Sequence, residues 1–131
     1  MQDRPTAGEL LEAVRAFLEQ EVVPALEGPQ RFHARVAANV LAIVGRELAG
    51  EERQLWAEWR RLSALLGPVG GPPPAGLVAL RAAVRERTEA LAECIRRGEA
   101  DAGPFGERLR AHVRETVREK LRVANPSFLR D

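Results

Sequence analysis

One stretch, residues 36–45, constrains the fold more than any other, because Asn39 carries its only polar side chain. The stretch reads Val-Ala-Ala-Asn-Val-Leu-Ala-Ile-Val-Gly and lies inside a longer run with helical spacing. A helix that is apolar all round belongs in the middle of a core. We therefore predict an all-α protein, a compact bundle of about five helices with a central, nearly all-apolar second helix. Most of the core is expected between Thr6 and Leu66.

The length of 131 residues matches a single domain that buries about two thirds of its unfolded surface. We predict one domain over residues 1–131, with an internal linker at 67–76 that holds four glycines and four prolines. Cys94 is the single cysteine and cannot form an internal disulfide. The sequence contains neither a signal peptide nor an apolar run of about 18 residues, so a cytoplasmic protein without a membrane span is expected.

Charge is nearly balanced overall but uneven along the chain. The net charge of +1 does not favour a dedicated nucleic-acid binder. Between Thr6 and Gly28 five glutamates face one arginine, whereas between Pro104 and Arg130 seven basic residues face three glutamates. The first and last helices therefore have opposite charge, which favours a protein partner or a homodimer.

Helical spacing and helix-end signals place the five predicted helices. Thr6 and Glu9 have the spacing of a capping box at the start of helix one. Pro24 is expected to kink or end that helix, and Gly50 is expected to separate helix two from helix three. Helix four is predicted to close at Gly98. Helix five is predicted to run from Gly103 to about Ala124.

The first candidate site lies within helix two. Arg35 and Asn39 stand one turn apart and His33 is close by, so the three side chains would present a guanidinium, an amide and an imidazole to an anionic or carbonyl-bearing ligand. The alternative interpretation is a buried asparagine that is hydrogen-bonded within the core and fixes helix register. Because buried polar groups are usually satisfied internally, the residues favour the structural interpretation.

A second candidate is a row of arginines at steps of four on helix five. Such a row would follow phosphates, or form a charged interface with a protein partner. Glutamates within one turn of the row favour a solvated, salt-bridged face over phosphate binding. The row consists of Arg110, Arg114, Arg118 and Arg122.

The sequence predicts neither a metal site nor a catalytic group. Helical bundles build metal sites from Glu-x-x-His motifs, but Gln30 and Leu109 occupy the glutamate positions before His33 and His112. Both histidines are interpreted as surface or boundary residues. Cys94 has no histidine at helical spacing and is interpreted as a small buried hydrophobe. No cofactor is predicted.

Several segments together carry a resemblance to a known family. They are residues 32–44 followed by Arg46-Glu47-Leu48, the opening 5–11, the segment 24–28 and the closing 124–126. On these residues the whole chain resembles an uncharacterised family of short bacterial proteins. Its members are often encoded beside aminoglycoside-phosphotransferase-like kinases and acyl-CoA dehydrogenases. The resemblance implies a functional context and carries over no catalytic residue.

Two functional hypotheses follow from the residues and the resemblance. The leading one is a non-enzymatic accessory module that works with a neighbouring phosphotransferase-like kinase or acyl-CoA dehydrogenase. The alternative is a binder for an acyl-CoA or another anionic metabolite through Arg35 and Asn39. An enzyme is not favoured, because the sequence nominates no acid, base or nucleophile pair.

Overall fold

Helices account for all the regular structure in the computed structural model, which describes residues 4–68 and 70–129. Within those residues there is no strand, and the all-α prediction is confirmed. There are four main helices: α1 (Ala7–Phe17), the long helix α2 (Gly28–Leu66), α3 (Gly76–Arg96) and α4 (Gly103–Ala124). The prediction of about five is therefore slightly wrong.

The start of α1 follows from its capping residues. The Thr6 backbone N–H donates to Glu9 Oε2 at 2.7 Å, and the Glu9 N–H donates to Thr6 Oγ1 at 3.3 Å, which completes the predicted capping box. Beyond α1 the chain makes a π-helical turn, Leu18–Val22, and a short α-helical segment, Val23–Ala25. Pro24 has no N–H to continue the α-helical ladder, so this change of helix type lies where a kink was predicted.

The predicted break at Gly50 is absent, because residues 28–66 form one continuous helix. A glycine inside a helix costs only about 1 kcal/mol relative to alanine, and no proline follows Gly50 to stop the chain. Good helix formers on both sides of Gly50 outweigh that cost. The two helices predicted on either side of it are therefore one.

The later helix ends lie close to the predicted positions. α3 is followed by Gly98, whose φ of 78° suits a glycine. α4 spans Gly103–Ala124, and Pro126 begins a short 3-10 helix, Pro126–Leu129. In the linker, the described residues before Gly76 adopt no helix or strand, as predicted.

Internal contacts divide the chain into two units. The first unit takes in the described residues up to Gly50 together with Val123–Asn125. The second takes in Glu51–Arg122 and the described residues from Pro126. The single domain stays a prediction, because this division does not test whether either unit folds alone.

The main core lies in the second unit, which corrects the expectation of a core between Thr6 and Leu66. It is a cluster of buried leucines and a valine joined by both tryptophans, whose rings meet edge to face with centroids 5.5 Å apart. Its buried members are Leu62, Leu65, Leu80, Val84, Leu91 and Leu109. In the first unit the buried side chains are few and small, and they include Val23, Ala34 and Ala38.

The expectation of a central, enclosed helix is also wrong for residues 28–50. In the first unit α1 and the segment that follows it lie along one side of this part of α2, where Ala38 is buried. One neighbouring helix covers only one side of a helix. Apolar residues elsewhere on its surface, such as Phe32 and Val36, are consequently exposed.

Candidate functional site

An antiparallel helical hairpin in the first unit positions the predicted site residues. One cavity is lined by Leu11 and Arg15 of α1 together with Leu41 and Gly45 of α2. Glu19 and Val23, which follow α1, oppose residues earlier on α2. The small side chains on the facing side of α2 allow the two helices to lie close together. Ala38 is only 1% exposed.

Arg35 and Asn39 share a second cavity of this hairpin, with a volume of about 370 Å³. Glu19 and Val23 line its opposite wall. Both predicted residues are exposed, and neither forms a side-chain hydrogen bond or ion pair within the described part of the chain. The expectation of a buried Asn39 that fixes helix register is therefore wrong.

His33 is not brought into that cavity. Its ring contacts Phe32 edge to face, with centroids 5.7 Å apart. The structure thus brings together two of the three predicted ligand-binding side chains, Arg35 and Asn39, and leaves the third outside their lining.

The opposite side of the hairpin is apolar. On α1 the steps from Leu10 to Val14 to Phe17 form one stripe, and on α2 steps of four form another. In the antiparallel register set by the cavity linings, helical geometry places both stripes on the side away from Glu12 and Asn39. We name this surface the apolar hairpin face, and its side chains are 39–58% exposed. It consists of Leu10, Val14, Phe17, Val40, Val44 and Leu48.

The second unit holds a cluster of partly buried charged groups between α2 and α4. Arg61 forms a two-point contact with Glu119, at 3.0 Å from Nη1 to Oε1 and 2.5 Å from Nη2 to Oε2. The Arg61 side chain is 25% exposed and that of Glu119 is 14% exposed. Hydrogen bonding to Glu119 raises the pKa of Arg61, so the guanidinium stays charged.

His112 belongs to the same cluster and is only 8% exposed, so its interpretation as a surface or boundary residue is wrong. Burial lowers the pKa of His112, and the positive charge of Arg61 lowers it further, while Glu119 acts in the opposite direction. Nδ1 of His112 is buried without a hydrogen-bond partner. A neutral imidazole with an unmet polar atom is therefore held beside a charged pair.

Sequence reasoning missed this cluster, although one signal for half of it was present. His112, Thr116 and Glu119 follow one another at steps of four and three, which places them on one face of α4. Arg61, which forms hydrogen bonds with Glu119, is 58 residues away from it in the chain. Only the packing of α2 against α4 brings it to them.

The predicted arginine row is exposed on α4, and part of it is paired. Glu115 lies 3.8 Å from Arg118 and 3.3 Å from Arg122, both measured from Nη1. Arg110 and Arg114 form no ion pair within residues 4–68 and 70–129. A row that is salt-bridged at one end and open at the other agrees with the favoured interpretation of a solvated, charged face.

Cys94 is half-buried on α3, and burial raises the pKa of its thiol. Arg97 Nη2 donates to Cys94 Sγ at 3.3 Å. A raised pKa leaves little thiolate at neutral pH, which agrees with a structural cysteine.

Among the described residues no group of three or more His, Cys, Asp and Glu side chains is arranged to hold a metal ion. The described helices also include none with the length and apolar character that crossing a membrane requires.

The fold and these surfaces define a class: an all-helical protein with large apolar side chains exposed on one helical hairpin. The chain belongs to the family described as domain of unknown function (DUF6285), which matches residues 24–128. The predicted membership of an uncharacterised family is confirmed. No curated protein and no solved structure matches the chain.

Proposed function

We propose that this protein is a non-catalytic accessory module that binds another protein through the apolar hairpin face. The single observation that supports the proposal is the exposure of six large apolar side chains on the two helices of the hairpin, which helical geometry places on the side away from Glu12 and Asn39. Monomeric proteins rarely leave a contiguous apolar patch open unless it binds something. Covering such side chains contributes roughly 25 cal/mol for each Å² removed from water.

The partner is proposed on separate grounds. The resemblance described above nominates a phosphotransferase-like kinase or an acyl-CoA dehydrogenase. A second copy of the chain is the other candidate, because an uncharged patch is compatible with itself across a two-fold axis. In either complex the charged residues of the hairpin stay at the rim, where they affect the rate of association more than its strength.

Sedimentation velocity of the purified chain, alone and with each purified candidate partner, tests this proposal. Val14→Glu places a charge in the centre of the face and is expected to weaken the complex at least tenfold. Val78→Glu is the matched control, because Val78 lies on α3 and is already 80% exposed. The proposal fails if the wild-type chain stays monomeric and binds neither partner, or if both variants behave alike.

A second candidate function rests on the cavity that Arg35 and Asn39 share. We propose, as the alternative, that it holds an acyl-CoA or another anionic metabolite. Asn39→Leu should then abolish retention of the ligand, measured by isothermal titration with the metabolite, while the apolar-face complex persists. Equal ligand affinity in the wild type and in Asn39→Leu would remove this alternative.

A further inference from the structure

A shallow cavity of about 320 Å³ lies between α2 and α4, within the second unit. α2 contributes Arg61, Ala64 and Leu65 to its lining, and α4 contributes Arg108, Ala111 and His112. Its wall is therefore half apolar side chains and half nitrogen-bearing ones. This combination suits a ligand with one polar end and one apolar end.

Two nitrogen atoms of the residues lining this cavity lack the partners that buried polar atoms normally have. Nδ1 of His112 and Nε of Arg61 are both buried and form no hydrogen bond. Native structures satisfy almost all such atoms with protein groups, water or a ligand. His112 is 92% buried, as its 8% exposure implies, so its ring is held in place beside the cavity. Two polar side chains of the cavity wall therefore each have a nitrogen atom that no protein group in the described part of the chain satisfies.

The charges around the cavity select the ligand's charge. Glu119 neutralises Arg61 through the two-point contact. Arg108 is exposed and forms no ion pair within the described part of the chain. Burial lowers the pKa of His112, which favours the neutral imidazole. One uncompensated positive charge is left, which matches a single negative charge better than two.

We propose that this cavity binds a small monocarboxylate with a short apolar tail. The carboxylate accepts hydrogen bonds from the Arg108 guanidinium and the His112 imidazole, and the tail packs on Ala64, Leu65 and Ala111. A charge-assisted hydrogen bond from arginine supplies affinity, while the apolar wall excludes ligands that are polar throughout. The inference is independent of the apolar hairpin face, which lies in the other unit.

The test is a titration of the isotope-labelled full chain with butyrate, followed by NMR of the histidine ring signals at constant ionic strength. Butyrate should shift the His112 signals saturably, with a Kd of roughly 1–10 mM for so small a ligand, and leave His33 unmoved. Butanol tests the need for the charge, and inorganic phosphate tests the need for a single charge and a tail. Both are expected to shift His112 weakly and without saturation.

Two arginine variants on α4 make the test specific. Arg108→Gln removes the proposed anchor and should weaken butyrate binding about tenfold, the loss expected for one charge-assisted hydrogen bond. Arg114→Gln removes an exposed arginine of the same helix that does not line the cavity, and should change the Kd less than twofold. Both positions are exposed, so both variants keep the fold.

Three results would overturn the proposal. The first is the absence of a saturable His112 shift with butyrate at about 100 mM, well above the expected Kd. The second is binding of phosphate or butanol as tight as that of butyrate. It would show that the cavity does not distinguish ligands by the number of their charges or by the presence of a charge. The third is equal weakening by the two arginine variants, which would mean a general charge effect.

Discussion

Glu119 is the residue that accepts hydrogen bonds from Nη1 and Nη2 of Arg61 in a partly buried position. Truncating it leaves Arg61 without its strongest partner. Glu119→Ala is expected to lower the free energy of unfolding by about 1.5–3 kcal/mol, the range for a hydrogen bond to a charged group. Urea denaturation monitored by circular dichroism measures the change.

An exposed ion pair gives the matched control. Glu12 pairs with Arg15 on the surface of α1, and the hydrogen bond from Arg15 lowers the pKa of that glutamate. Because the Glu12 side chain is 62% exposed and that of Glu119 is 14% exposed, water solvates the Glu12 carboxylate, and Glu12→Ala should change the midpoint of unfolding far less than Glu119→Ala does. Equal losses would show that the Arg61 pair contributes no more than a surface contact.

His112 gives a pH dependence whose sign follows from its lowered pKa. As the pH falls below about 6.5 the unfolded chain takes up this proton before the folded chain does, so stability is lost. Burial and the Arg61 charge oppose protonation in the fold, and Glu119 favours it. In His112→Gln this part of the pH dependence is absent.

The difference in the free energy of unfolding between the wild type and His112→Gln, which we call the stability gap, is therefore expected to narrow as the pH falls from about 7.5 to about 5. Urea denaturation curves at several pH values measure that gap. A gap that stays constant over this range would mean that His112 titrates alike in the folded and unfolded chain.

For single helices, capping and helix-ending residues predict where a helix begins and ends better than they predict a break in its interior. Thr6 with Glu9, Gly98 and Pro126 act on backbone groups within one turn of themselves, so the sequence alone locates them. The predicted helix break at Gly50 is wrong because a glycine inside a helix is only weakly unfavourable. Which side of a helix is covered depends on its neighbours, which explains the wrong expectation for Asn39.

The candidate sites show the same limit. The sequence predicts that Arg35 and Asn39 lie together because they are one helical turn apart. The cluster of Arg61, His112 and Glu119 joins two helices, and no local pattern encodes that pairing.

Two helical glycines are expected to respond oppositely to alanine. Gly45 has no neighbouring atom within 4 Å of an added Cβ, so Gly45→Ala should stabilise the fold by about 0.5–1 kcal/mol through a stiffer backbone. At Gly106 an added Cβ would lie 2.4 Å from the carbonyl oxygen of Ala100. Gly106→Ala should therefore destabilise the fold by about 1–3 kcal/mol through overpacking.

Thermal unfolding of the two glycine variants side by side measures this contrast. Stabilisation by Gly106→Ala would mean that the backbone around Ala100 moves aside easily. Destabilisation by Gly45→Ala would mean that α1 lies closer to α2 in solution than the cavity between them indicates.

For the whole molecule, the question is which of two exposed surfaces makes contact with a partner: the apolar hairpin face or the arginine row of α4. Salt distinguishes them, because ions screen charges beyond about 8 Å at physiological strength but do not weaken apolar burial. Raising sodium chloride from about 50 mM to about 500 mM should leave the proposed complex intact or strengthen it. Sedimentation velocity of the complex across that range measures the effect.

Two charge-introducing variants complete the comparison at the same scale. Val14→Glu should dissociate the complex at every salt concentration, because the cost of burying an unpaired carboxylate is only weakly screened. Arg114→Glu reverses a charge on the open part of the arginine row and should have little effect. If the complex instead weakens steeply with salt and with Arg114→Glu, while Val14→Glu has no effect, the arginine row is the interface. The apolar hairpin face would then be left without a role in binding.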